Sequence, residues 1–137
     1  YDIRLRAQGA MPRWTAGDLV EIGPEHDAAS VADWMHAHGI EDRALDDALG
    51  RETLSARVAR SRWPALRESE DIAALASRLE PLPHREYSIA SIPEDGDLRL
   101  LVRLARRADG RHGLGSGWLC LHAPQDATIR LRIRSNP

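Results

Sequence analysis

The chain has 137 residues, enough for one domain with a modest core. Apolar residues make up 42% and charged ones 29%, an ordinary balance for a folded soluble protein, and no apolar run nears the roughly 18 residues of a membrane span. One cysteine, Cys120, excludes an internal disulfide and any cysteine-rich metal site, and the six histidines lack metal-ligand spacing.

All 19 basic residues are arginine, and the formal charge of −2 hides an asymmetry along the chain. From Leu98 onward eight arginines stand against Asp109 and Asp126, a balance of +6, whereas residues 1–97 carry −8. A basic final third suits an anionic ligand or partner. Arg103, Arg106, Arg107 and Arg111 have no interleaved aromatics, and Trp118 is the one aromatic in that third, which argues against a nucleic-acid stacking platform. Solvated strand edges and a charged hairpin account for the same arginines without any ligand.

Tyr1 to Leu5 reads as a strand and lacks the positive-then-apolar pattern of a signal peptide. Its start without Met suggests a piece of a longer polypeptide. A second strand, Asp18 to Ile22, follows the Ala16-Gly17 turn. Residues 26–80 change character. Val31, Trp34, Met35 and His38 recur at helical spacing before Gly39. Leu45, Leu49, Leu54 and Val58 suggest one or two further short helices broken near Gly50, and Glu70 to Leu79 a last one closed by Pro81 and Pro83.

Strand character returns at Arg85 to Ser91, at Asp97 to Arg106, and at Thr128 to Arg134, where Ile129, Leu131 and Ile133 alternate with Arg130, Arg132 and Arg134. The expected fold is mainly β: a six-stranded antiparallel barrel over residues 1–25 and 81–137, carrying a short all-helical insertion over 26–80.

Two segments carry chemistry. In Arg85-Glu86-Tyr87-Ser88-Ile89-Ala90-Ser91, an arginine can clamp a phosphate, a tyrosine ring can cover a flat conjugated ligand, and a serine can address a ring nitrogen. An ordinary strand with one surface arginine and one core tyrosine fits these residues as well. In Gly113-Leu114-Gly115-Ser116-Gly117-Trp118-Leu119, glycines let backbone N–H groups converge on an anion, and Ser116 is expected to cap a helix starting just after it. A flexible hairpin end before a packed helix remains the simpler alternative. Cys120, on the apolar face of that helix, reads as an inert core thiol.

Taken in order, Trp14-Thr15-Ala16-Gly17-Asp18-Leu19-Val20-Glu21-Ile22, the Arg85–Ser91 strand and the Gly113–Leu119 turn resemble the FAD-binding domain of the diflavin reductase family, compact bacterial type. That family includes the flavoprotein component of sulfite reductase and the reductase half of nitric oxide synthase. The resemblance implies FAD as cofactor, with Arg85 on its pyrophosphate, Tyr87 stacked on the isoalloxazine, and Ser88 near the flavin N5 as the catalytic residue. Gly113, Leu114, Gly115 and Ser116 would form the phosphate-binding turn, and the strand from Leu101 to Leu104 would run beside the flavin.

It further implies an NADPH-dependent electron-transfer reductase in which a hydride passes from NADPH to FAD and electrons pass on to FMN or another acceptor. A flavodoxin-like domain, a nicotinamide-binding domain and a downstream redox acceptor would then be partners, and the fragment would not turn over alone. The cytoplasm, or the cytoplasmic side of a membrane for a tethered parent protein, is the expected location. Two alternatives stay open: a single-flavin reductase of the ferredoxin–NADP type, and a non-catalytic anion-binding barrel. No metal and no nucleic acid are expected.

Overall fold

The fold was obtained as a computed structural model describing residues 1–137. In chain order its elements are β1 (Asp2–Leu5), β2 (Leu19–Ile22), α1 (Ala28–Ala37), β3 (Ala44–Asp47), β4 (Gly50–Thr53), α2 (Leu54–Ala59) and β5 (Ser61–Arg62). There follow α3 (Ile72–Arg78), β6 (Glu80–Pro81), β7 (Arg85–Ser88), β8 (Leu98–Leu101), α4 (Leu114–Gly117) and β9 (Leu131–Arg134). A single π-helical turn, Trp118–His122, continues α4. The chain divides into two compact units: a β unit of Tyr1–Pro24 with His84–Pro137, and a helical unit of Glu25–Pro83. No helix is long and apolar enough to cross a membrane.

The expected closed barrel is not formed. The fold is mixed α/β, with four short helices and four small sheets, none of which closes on itself. In the β unit, β1 pairs only with β8, and β2 sits between β7 and β9, all antiparallel. An isolated bridge between Ile89 and Leu100, with the Ala90 N–H donating to the Arg99 carbonyl at 2.8 Å, links the two sheets. On the far side no ladder joins β1 to β9.

The reason lies in two shortened strands. The segment expected from Asp97 to Arg106 leaves its sheet after Leu101. The segment expected from Thr128 begins pairing only at Leu131, some residues after the Pro124–Ala127 turn in which Asp126 takes φ 64°. A ladder needs both backbones extended, and residues 128–130 do not enter one.

The core of the β unit nevertheless follows the alternation of the sequence. Leu98 and Leu100 are buried from β8, Val102 from the residue after it, and Val20 and Ile22 from β2, while Leu131 and Ile133 pack against them. Val20 and Leu100 are fully buried, which contributes about 1.5–3 kcal/mol each. β2 starts where Gly17, at φ 87°, turns the chain. The Asp18 carboxylate fixes that turn by accepting from the Thr15 N–H at 2.9 Å and the Asn136 N–H at 3.2 Å. These bonds hold its carboxyl below the usual range.

The helical unit starts each helix on a capping side chain. Asp27 accepts from Ser30 N–H, Thr53 from Ala56 N–H and Asp71 from Ala74 N–H. Val31, Met35, Leu54, Val58, Leu75 and Leu79 form its core. The unit is not all-helical: residues expected to form a helix around Leu45 and Leu49 form the β3–β4 hairpin, and β5 pairs with β6. Gly50 at φ 108° and the Leu49 N–H donated to Asp47 set the hairpin turn, leaving Leu49 76% exposed. Arg57 of α2, 4% exposed, then clamps Asp47 and Glu52 on the hairpin's two strands. Leucine spacing in this stretch lost to turn chemistry and a buried arginine.

Candidate functional site

β7 is held by β2, with Tyr87 opposite Val20 and Arg85 opposite Ile22. Strand alternation sends Arg85, Tyr87 and Ile89 to one face and Glu86 and Ser88 to the other. Onto the first face comes the glycine turn. A Cβ added at Gly115 would lie 2.5 Å from Arg85 Cγ and 2.7 Å from Tyr87 Oη. Real Cβ atoms do not approach so closely, so any larger residue there must push these two side chains aside. Two segments separated by about 28 residues thus meet side chain to backbone.

The turn is anchored at both ends by Ala105. The Gly113 N–H donates to the Ala105 carbonyl at 2.9 Å, and the Ala105 N–H donates to the Ser116 hydroxyl oxygen at 3.0 Å. Ser116 therefore lies inside α4 and ties it to the 102–105 segment, instead of capping a helix that begins after it. The N-cap is Gly113, without a side-chain cap bond. Because Ser116 accepts from Ala105, its own O–H is left to donate. α4 with its π-turn continuation is short, and the strongest positive charge available at this turn is a side chain.

Arg85 supplies it. It is exposed and makes no ion pair or side-chain hydrogen bond. Tyr87 is half-buried, and burial pushes its phenol up while the neighbouring Arg85 charge opposes the shift. Ser88 ends β7 on the opposite face, exposed and apart from the turn. There Glu86 and Glu21 share Arg134, at 2.8 and 2.7 Å.

Two residues were not legible as site residues in the sequence. Ala105 acts only through its backbone, which leaves no residue-type signal. His112 packs its Cβ 3.2 Å from the Cβ position of Gly117, and its Nδ1 is buried without a hydrogen-bond partner. An imidazole next to a glycine turn could have raised that flag. Cys120 is partly buried, and burial pushes its thiol up, which removes thiolate character. No group of three or more His, Cys, Asp or Glu side chains comes together to hold a metal ion. A cavity of about 1000 Å³ lies in the β unit but shares no residue with the Arg85–Gly115 cluster.

No protein-family model matches the chain, and no curated protein matches it.

Proposed function

We propose that the β unit binds FAD, as part of an NADPH-dependent electron-transfer reductase. The observation that carries this reading is the packing of Gly115 against Arg85 and Tyr87. It unites, in one cluster, a free guanidinium, an aromatic ring and a glycine turn with a hydroxyl able to donate. These are the groups that a flavin dinucleotide requires: a cation and donors for the pyrophosphate, and a flat apolar surface for the ring. The open sheets do not remove this support, because the cluster rests on β2, β7 and the 102–117 segment alone.

In this reading Arg85 binds the pyrophosphate through paired N–H donors, and Gly113 to Ser116 approach it with backbone and hydroxyl groups. Tyr87 covers the isoalloxazine, and the Arg85–Gly115 contact holds both at a fixed spacing. FAD would supply hydride acceptance and one-electron release, which no side chain of this chain can perform. A role for Ser88 near the flavin N5 rests on the resemblance alone. FMN, NADPH and an acceptor would be held by domains outside this sequence.

The test is a fluorescence titration of the purified protein with FAD and with FMN. The reading expects FAD to bind at least ten-fold tighter, because the turn addresses a pyrophosphate and leaves a monophosphate half-contacted. Equal or tighter FMN binding contradicts it. A second reading, an anion-binding module without redox chemistry, is favoured by the exposed, unpaired Arg103, Arg106, Arg107 and Arg111. It expects no flavin binding and a steeply salt-dependent affinity for a polyanion.

A further inference from the structure

The absent closure between β1 and β9 leaves a feature of its own. Along β1 and the chain before β9 runs the cavity of about 1000 Å³, within the range that small-molecule sites occupy. Its apolar wall includes Leu5, Met11, Trp14 and Leu98. Trp14 is 5% exposed and its indole N–H is already donated to the Ser91 carbonyl at 2.9 Å, so it offers the cavity only carbon. The opposite character comes from three arginines, Arg4, Arg6 and Arg130, against a single lining carboxylate, Asp126.

Two of these arginines are not used up by the fold. Arg6 and Arg130 make no ion pair and no side-chain hydrogen bond, and Arg4 reaches Asp2 only at 3.6 Å. A hydrogen bond from Gln8 Nε2 to Thr128 Oγ1, 3.0 Å, ties the two walls together. An apolar wall facing uncompensated guanidinium groups is the pattern that selects a ligand with one charged end and one apolar body. A neutral lipid would leave the arginines unanswered, and a small inorganic anion would leave the apolar wall wet.

We propose that this cavity is a binding site for a small amphipathic anion, a carboxylate on an aliphatic or aromatic body. Its head meets Arg6 and Arg130, and its body lies on Leu5, Trp14 and Leu98. The site is independent of the FAD reading, since none of its residues belongs to the Arg85–Gly115 cluster.

Isothermal titration with decanoate, decanol and butyrate tests it on the full chain. Decanoate is expected to bind at least ten-fold tighter than decanol, which lacks the charge, and than butyrate, which lacks the body. The double variant Arg6→Gln with Arg130→Gln is expected to weaken decanoate at least ten-fold at an unchanged melting temperature, as both side chains are exposed and unpartnered. The pair Arg106→Gln with Arg107→Gln, outside the cavity, is expected to leave it unchanged. No decanoate binding up to about 1 mM overturns the proposal, as does equal binding of decanol. An equal loss in both double variants overturns it too, since general charge would then explain the binding.

Discussion

The two units employ the same cation in opposite ways. In the helical unit, Arg51, Arg57, Arg60 and Arg78 form ion pairs, leaving three of seven arginines without one. In the β unit only Arg4, Arg99 and Arg134 do so, leaving nine of twelve. Two of the helical unit's pairs, those of Arg57 and of Glu70 with Arg78, are also deeper, while Arg51–Asp46 stays exposed. The Arg57 side chain is 5% exposed, Glu52 16% and Glu70 7%, whereas Arg99 and Asp2 are both 37% exposed. Arg57 of the helical unit is therefore structural, holding a hairpin to a helix. In the β unit most arginines are surplus to the fold, and surplus charge is what an anion can use.

The largest effect expected from this contrast is at Arg57. Arg57→Met should remove the buried guanidinium that joins Asp47 to Glu52 and destabilise the helical unit by about 2–4 kcal/mol, read as a fall in its urea midpoint. A loss below about 1 kcal/mol would place Arg57 with the surface pairs and dissolve the contrast. Next comes Gly115→Ala. Its new Cβ must displace Arg85 and Tyr87, so a destabilisation of about 1–3 kcal/mol is expected together with weakened FAD binding. Unchanged melting and unchanged FAD affinity would show that the turn does not press on β7.

Acid gives a smaller, graded test. Arg57 holds the Asp47 carboxyl below the usual carboxylate range, Arg78 does the same for Glu70, and Arg57 with Arg60 outweigh burial at Glu52. A carboxyl lowered in the folded state contributes stability that is complete above its unfolded value and disappears as pH falls through the lowered one. Melting temperature should thus be flat above about pH 5 and decline below about pH 4. Near-constant melting down to about pH 2 would mean that these pairs add nothing to folding.

The alternating strands and the apolar faces of β2, β8 and β9 were legible because period 2 survives whatever the sheet does next. Closure was not legible: it depends on whether residues 128–130 find a partner, which alternation along a single strand does not report. The β3–β4 hairpin was missed for a similar reason, since Leu45 and Leu49 mimic a helical face while Asp47, Gly50 and Arg57 impose a turn. At the candidate site, Arg85, Tyr87 and the glycines could be picked out by residue type, and their meeting at Gly115 could not. Ala105 acts through its backbone alone, which composition and spacing do not report.

On the FAD reading, an unpaired arginine of the β unit serves a ligand and a paired arginine of the helical unit does not. The most direct test of that reading compares FAD affinity in Arg85→Ala and in Arg51→Ala, the latter losing an exposed pair to Asp46. Arg85→Ala should weaken FAD by about 1.5–3 kcal/mol, at least ten-fold, with melting unchanged, and Arg51→Ala should leave affinity as it was. Equal FAD affinity in the native protein and in Arg85→Ala would contradict the account.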